Sequence, residues 1–202
     1  MVQVLLNWLY IAFTNFVIGY GVLSFLSKKL NYKIQYTISY FISGFLITTV
    51  YAQVYSLISG VGIFANVLMI VICIAIICIM KGDFKKLCHE LFRFISNNKI
   101  LSVVFLALMI IMIYGTSRGN MHFDSSLYHA QSIRWIEEYG IVPGLANLHS
   151  RFGYNSAAYA TNALYSMSYI FPNSIHASAG YLAFFDIVLY IRIKKCNKSK
   201  EV

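Results

Sequence analysis

Charged residues are scarce in this sequence, and that scarcity indicates which class of protein it encodes. Only 11% of the 202 residues are charged and 59% are hydrophobic, with a mean hydropathy of +0.67. Soluble domains carry about 25% charged residues, so an ordinary water-exposed surface is excluded. Proline, with 2 residues, and glycine, with 12, are too few for a collagen-like or low-complexity chain. The composition predicts a domain that lies in a lipid bilayer.

The motifs of common soluble enzymes are missing as well. The sequence has no glycine-rich phosphate loop, no His-Glu-x-x-His zinc motif and no Gly-x-Ser-x-Gly nucleophile elbow. Its 4 cysteines follow neither a disulfide framework nor a zinc-site spacing, and none lies in residues 118–174. The pattern therefore gives no reason to expect a nucleotide-binding, zinc-dependent or serine-hydrolase site.

Long apolar runs are what the sequence has instead. A transmembrane helix needs about 20 apolar residues, and these runs are continuous, unlike the short alternating strands of a membrane barrel. The first run has no basic leader or small-residue cleavage site, so it reads as a retained helix. We therefore expect an all-α, polytopic transmembrane helical bundle of about five spans, at residues 2–26, 34–58, 61–80, 100–117 and 175–193.

The positions of lysine and arginine orient these helices. Thirteen of the 16 fall in residues 28–33, 81–99 and 192–200, which five spans place on one side. Cytoplasmic segments carry an excess of Lys and Arg, so we expect the N-terminus outside and the C-terminus in the cytoplasm. The net charge of +9 is then explained by the excess of Lys and Arg in the cytoplasmic segments. Membrane lipid, and not nucleic acid, is the expected partner of the basic residues.

The chain divides into three parts by this pattern. Residues 1–117 hold four spans and an amphipathic helix at 81–99, which we expect to lie on the inner leaflet, with a solvated linker as the alternative. Residues 118–174 form one long external loop with interfacial helices. Its polar stretch 155–171 is expected to be a partial, half-buried or re-entrant helix that stops at Pro172. Residues 175–202 form the last span and a basic tail.

The external segment begins with a predicted interfacial helix. Asp124 is expected to be its N-cap, with the carboxylate accepting backbone N–H groups of the first turn. The helix is expected to run from residue 125 to about 139, with Gly140 just past its end and Pro143 as a stop. Trp135 and Tyr139 are expected at headgroup depth.

Several side chains of this segment could perform chemistry, and each has a plainer alternative. Arg134, His149 and Arg151 could bind a phosphate. Asn147 and Asn155 could bind sugar hydroxyls. Asp124 could be a simple N-cap, and His122 and His129 could be ordinary interfacial histidines. Arg134 could pair with Glu137 or Glu138 at helical spacing. His149 and Arg151 could be surface residues. Asp186, inside the last span, is either functional or shallowly buried. The candidates are Asp124, His122, His129, Arg134, Asn147, His149, Arg151 and Asn155.

The external segment also carries a resemblance. The stretches Asp124-Ser-Ser-Leu-Tyr-His129, then 133–149 (IRWIEEYGIVPGLANLH), then Arg151-Phe-Gly-Tyr-Asn155, resemble a family of bacterial multi-pass membrane proteins. That family is similar to the GT-C class of membrane glycosyltransferases, which use a polyprenyl-phosphate-linked sugar as donor and transfer it outside the cytoplasm. The resemblance implies a location in the bacterial inner membrane.

The resemblance implies roles for individual residues. Asp124 matches the acidic catalytic position in the first large external loop, and the residues matching polar positions would bind substrate: His129, Arg134, His149, Arg151 and Asn155. No cofactor is implied beyond the lipid-linked donor. Because the sequence lacks an Asp-x-Asp pair, a metal is not expected.

One departure from the class concerns size. Enzymes of the class have many more helices than five, so we expect an N-terminal fragment, a truncated member, or one part of a split protein with another membrane chain as partner. The alternatives are a non-catalytic membrane protein or remnant, and an accessory component of polysaccharide polymerisation or export.

Overall fold

The structure is a computed structural model that describes residues 1–34, 36–118, 123–154 and 156–198, without the side chains of Phe94, Ser126 and residues 192–198. Over these residues all regular secondary-structure elements are helices, which confirms the all-α prediction. The α-helices are α1 (Val2–Leu30), α2 (Ile38–Ser56), α3 (Ile63–Ile79), α4 (Lys81–Asn97), α5 (Lys99–Ser117), α6 (Ala130–Tyr139), α7 (Ala157–Leu164) and α8 (Ser178–Lys198). A π-helical turn (Ser125–His129) leads directly into α6, and two 3₁₀ turns (Leu145–Asn147 and Ser150–Gly153) lie between α6 and α7.

Length and apolar composition identify the helices that could cross a membrane. Three of them, α1, α2 and α5, meet both requirements. Helices α3 and α4 meet them only as a pair, and they are bent by 96° at the break between them. The apolar part of α8, Ser178–Ile191, is shorter than a full span. The described residues thus hold three candidate spans, or four with the bent pair, and the five-span arrangement remains a prediction.

The polar stretch before Pro172 corrects the sequence prediction. Only Ala157–Leu164 is helical, whereas the pattern predicted a helix over 155–171. The helix ends early because the chain reverses. Met167 adopts a positive φ of 52°, and the Ser166 carbonyl accepts a hydrogen bond from the Ile175 N–H at 2.8 Å. This part of the chain is therefore a short buried helix followed by an irregular return.

Helices α1 and α2 pack against each other with their backbones almost in contact. A Cβ atom at Gly44 would overlap the Asn15 carbonyl of α1. A Cβ at Gly19 would overlap the Tyr40 carbonyl and lie 2.8 Å from the Gly44 nitrogen. Small residues permit this close approach in membrane helices, where van der Waals packing drives association.

Polar side chains in the apolar helices hold the C-terminal end of α7. The last carbonyls of a helix have no partner within it. Asn66 Nδ2 donates to the Leu164 carbonyl at 3.0 Å, and Asn7 Nδ2 donates to the Tyr165 carbonyl at 2.6 Å. Asn7 is fully buried and Asn66 nearly so. These asparagines satisfy carbonyls that would otherwise be unpaired in a low-dielectric core.

A second buried hydrogen-bond cluster joins three helices. Asn15 Oδ1 accepts from the Thr48 hydroxyl at 2.9 Å and from the Tyr165 hydroxyl at 3.0 Å. The Tyr165 hydroxyl also lies 3.0 Å from Thr14 Oγ1. Because Tyr165 directly follows α7, this cluster fixes the short helix against the α1–α2 pair.

The segment after α5 lies at the end of the bundle where α1 begins. The turn between α2 and α3 forms two backbone hydrogen bonds with α6 and the residues after it. The Val61 N–H donates to the Ile136 carbonyl at 2.9 Å, and the Ile141 N–H donates to the Ser56 carbonyl at 2.8 Å. At the opposite end, Lys28 Nζ lies 3.9 Å from Asp83 of α4. The candidate residues described by the structure therefore lie at one end of the helices.

Candidate functional site

An ion pair between Asp124 and Arg151 forms the centre of the site. Arg151 Nη1 donates to Asp124 Oδ1 at 2.9 Å, across 27 residues of sequence. The prediction that the Asp124 carboxylate caps the following helix is wrong, because it accepts no capping N–H. The backbone of Asp124 is already helical, with φ −65° and ψ −20°, whereas an N-cap residue has non-helical angles. The carboxylate instead pairs with Arg151.

Tyr128 forms the floor beneath this ion pair. The Arg151 guanidinium carbon lies 4.9 Å from the centre of the Tyr128 ring, within the range of a cation–π interaction. The Tyr128 side chain is buried. Burial raises the pKa of Tyr128, and the negative charge of Asp124 raises it further. At neutral pH the phenol therefore stays protonated.

His129 places an imidazole ring beside Tyr128. Its ring centre lies 4.3 Å from that of Tyr128 and 5.5 Å from that of Tyr159 on α7. Tyr154 packs on the other side of Tyr128, with ring centres 6.2 Å apart. We call Asp124, Tyr128, His129 and Arg151 the acidic cluster. It combines an acid, a cation, an imidazole and a phenol at one end of the bundle.

Arg134 and His149, two further predicted site residues that the structure describes, are not part of this cluster. Arg134 lies on α6, where Nε donates to Glu138 Oε1 at 2.8 Å, so the alternative of pairing at helical spacing is confirmed. His149 is exposed, and its Nδ1 accepts the Arg151 backbone N–H at 3.3 Å, which supports the turn that carries Arg151. Asn155 and His122 lie outside the described residues.

Helix α6 ends where the sequence predicted. Tyr139 is its last residue, and Gly140 follows with a φ of 76°. A Cβ at Gly140 would lie 2.7 Å from the Ser59 carbonyl and closer still to that of Ser56. Glycine is therefore needed at this position both for the positive φ and for the close approach of the α2–α3 turn.

Sequence reasoning did not single out the polar cleft on the other side of α6. The cleft has a volume of about 410 Å³, and Glu137 lies on its wall, half-buried. The Ser168 hydroxyl donates to Glu137 Oε1. Burial raises the pKa of the Glu137 carboxyl. The cleft is lined among others by Arg134, Glu137, Glu138, Ser168, Ser174 and His176.

The raised pKa of Glu137 predicts a specific pH dependence of stability. The folded chain holds the proton more tightly than the unfolded chain, whose carboxyl has the ordinary pKa of 4.5. The buried charge therefore destabilises the fold at neutral pH, and this penalty is relieved as the pH falls through the raised pKa. We expect E137Q to have a higher unfolding midpoint than wild type in detergent at pH 7, with an advantage that shrinks toward pH 4.5.

The matched control for this prediction is E138Q, which removes the neighbouring carboxylate that is more exposed. We expect E138Q to give no comparable gain at pH 7. A difference between E137Q and wild type that stays constant over the whole pH range would contradict the assignment of a raised pKa to Glu137.

Other features named from the sequence have plain structural positions. Asp186 is exposed on α8. Cys73, Cys78 and Cys88 are free thiols, while the Cys196 side chain lies outside the description. Over the residues that are described, no group of three or more His, Cys, Asp or Glu side chains could hold a metal ion.

Comparisons with known proteins bear on the chain as a whole. No curated protein and no solved structure matches it. A family model described as a domain of unknown function, DUF8201, matches residues 1–202. The chain therefore belongs to the DUF8201 family over its whole length.

Proposed function

We propose that this chain is a membrane-embedded glycosyltransferase-like protein that moves a sugar from a polyprenyl-phosphate donor to an acceptor hydroxyl on the external face. The observation that carries the proposal is the acidic cluster. Its carboxylate is only 27% exposed and is held by Arg151 at 2.9 Å, at the end of the bundle opposite to Lys28 and Asp83.

The proposed reaction uses Asp124 as a general base. The acceptor hydroxyl oxygen forms a bond to the anomeric carbon of the sugar, and its proton passes to the Asp124 carboxylate. The bond between the anomeric carbon and the phosphate oxygen breaks, and the polyprenyl phosphate leaves with the electron pair. Arg151 has five N–H donors, and its side chain is 45% exposed, so it can face the leaving phosphate while it holds Asp124.

The proposal includes a topology. We propose five spans, with the N-terminus outside, the acidic cluster on the external side and the C-terminus in the cytoplasm of a bacterial inner membrane. The excess of Lys and Arg in residues 28–33, 81–99 and 192–200 supports this orientation. The bend of 96° between α3 and α4 supports an α4 that lies along the inner surface.

Cysteine labelling in intact cells tests the topology. In a background without the four native cysteines, Gln131→Cys on α6 and Asn97→Cys at the end of α4 both present exposed positions. We expect a membrane-impermeant maleimide to label the first and not the second, and to label both after permeabilisation. Labelling of Asn97→Cys alone in intact cells would overturn the topology and with it the sugar-transfer proposal.

The direct test of the activity is transfer itself. Membrane vesicles that contain the chain, oriented with the external face accessible, should move radiolabelled sugar from a polyprenyl phosphate to a product absent from matched vesicles without the chain. Failure with every donor in a panel of hexose and N-acetylhexosamine polyprenyl phosphates would count against the proposal.

A non-catalytic role is the second candidate, and the ion pair itself favours it. Arg151 already engages the carboxylate of Asp124, and the pair ties the start of the π-helical turn to the second 3₁₀ turn. Such a clasp would stabilise a lipid-binding or partner-binding surface without chemistry. The two roles differ in what happens when the charges of the pair are exchanged.

A further inference from the structure

A second cavity adjoins the acidic cluster and contains an unpaired hydroxyl. We call it the aromatic pocket. It lies between α6 and the two 3₁₀ turns and has a volume of about 170 Å³. Ser132, which is 5% exposed, lines it, and its Oγ has no hydrogen-bond partner among the residues that the structure describes. The rings on its walls are those of Trp135, Phe152, Tyr154 and Tyr159.

The unpaired hydroxyl distinguishes this pocket from a packing defect. A buried polar group without a partner is destabilising, and most buried side-chain polar atoms in folded proteins are paired. Four of the residues that line the pocket are aromatic, so a ligand that reaches this hydroxyl also meets apolar rings. The hydroxyl is therefore suited to a partner that also covers apolar rings.

The size of the pocket limits what that partner can be. A volume of 170 Å³ equals the share of roughly five or six water molecules in the liquid. This is room for one small ring. Ligand pockets typically combine aromatic walls with a few polar groups that fix orientation. A ring with an apolar face and hydroxyls at its edge meets both conditions.

The position of the pocket connects it to the acidic cluster. Two of its wall residues also contact that cluster: Tyr154 packs against Tyr128, and Tyr159 packs against His129. A ring in the pocket would thus be separated from the ion pair by one layer of side chains. The only other tryptophan, Trp8, is buried in α1 and hydrogen-bonded to the Ala177 carbonyl, so Trp135 alone reports on the pocket.

We infer that the aromatic pocket is a subsite for a single sugar ring, which stacks its C–H face on the aromatic walls and hydrogen-bonds Ser132 Oγ. The inference rests on the proposed function and deepens it, since it gives a sugar ring a location one layer of side chains away from Asp124. The ring could belong to a free acceptor or to the sugar unit of the lipid-linked donor, because the recognition chemistry is the same.

Trp135 fluorescence tests the subsite without requiring transfer. The full chain in lipid nanodiscs is titrated with D-glucose, D-galactose and N-acetyl-D-glucosamine, each free and as its polyprenyl phosphate ester. We expect a saturable change in emission with at least one of them, absent in W135F. A response to the free sugar identifies an acceptor subsite, and a response to the ester alone identifies a donor subsite.

The variant S132A tests the role of the hydroxyl. We expect its affinity for the responding sugar to fall about tenfold, as the loss of one hydrogen bond predicts. Its unfolding midpoint without sugar should rise, because the unpaired hydroxyl is gone. The matched control S102A removes a serine hydroxyl on α5, outside the pocket, and should leave sugar affinity unchanged.

Two results would overturn the subsite: no saturable response to any free or lipid-linked sugar, or an S132A variant that binds as tightly as wild type. Failure of the proposed function is distinguishable from both. If D124N binds sugar normally and neither it nor wild type transfers sugar, the pocket stands and the transfer activity does not.

Discussion

Replacing Asp124 with asparagine is expected to lower the rate of sugar transfer by about 100-fold or more, which is the usual contribution of a positioned general base. Asparagine keeps the size of the side chain and can still accept a hydrogen bond from Arg151, but it cannot take a proton from an acceptor hydroxyl. Transfer from a radiolabelled polyprenyl-phosphate sugar in oriented vesicles is the measurement. Transfer by D124N at the wild-type rate would remove Asp124 from the catalytic role.

The same variant should have little effect on folding. The side chains of Asp124 and Arg151 are 27% and 45% exposed, and ion pairs with this much solvent contact are worth about 1 kcal/mol or less. We therefore expect nearly normal membrane insertion and an unfolding midpoint close to that of wild type. The matched control is E90Q, which removes an exposed carboxylate from α4 at the opposite end and should leave transfer unchanged.

Exchanging the two charges separates chemistry from structure. In the double variant D124R/R151D the ion pair can form again, but its carboxylate lies on the 3₁₀ turn and no longer on the helical segment. If the ion pair has only a structural role, the double variant should regain the stability that the single variants lose. A general base needs the carboxylate in its original place, so transfer would remain lost in the double variant.

The sequence predicted the helices well and the contacts between them poorly. Apolar runs gave the approximate positions of α1, α2, α3, α5 and α8, because hydrophobic length is a local property. The end of α6 at Gly140 was also local, since only glycine readily takes the positive φ found there.

The polar residues that the sequence pattern misassigned or did not single out are those whose partners are distant in sequence. Asp124 was predicted to be a helix cap because its carboxylate could accept backbone N–H groups of the first turn, yet it pairs with Arg151, which lies 27 positions away. Asn7 pairs with a carbonyl 158 positions away, and Asn66 with one 98 positions away. The spacing of apolar residues along the chain carries no information about such pairs. For the same reason, the sequence did not identify Ser132 as part of the aromatic pocket or Glu137 as part of the polar cleft.

Replacing Gly44 with alanine is expected to destabilise the fold by about 3 kcal/mol, toward the upper end of what overpacking costs in a tight core. The added methyl group would meet the Asn15 carbonyl, which belongs to the backbone of α1 and cannot rotate away. The two helices would have to separate along the contact that includes Gly19. Unfolding free energy in mixed micelles, titrated with a denaturing detergent and followed by circular dichroism, measures the effect.

The matched control is G115A on α5, where a Cβ would meet nothing within 4 Å. There we expect no loss, and a gain of up to about 1 kcal/mol from the lower conformational freedom of alanine in the unfolded chain. Equal stabilities of G44A and G115A would contradict the observed packing of α1 against α2.

The G44A variant should also weaken the acidic cluster, although no atom of Gly44 touches it. The residue that the new methyl group displaces, Asn15, is the one whose Oδ1 accepts from Thr48 and Tyr165. Tyr165 fixes the end of α7, and α7 carries the Tyr159 ring that packs on His129. We therefore expect transfer to fall in G44A at temperatures where the chain is still folded, and to remain at the wild-type level in G115A. A folded G44A variant with wild-type transfer would mean that α7 is positioned independently of the α1–α2 contact.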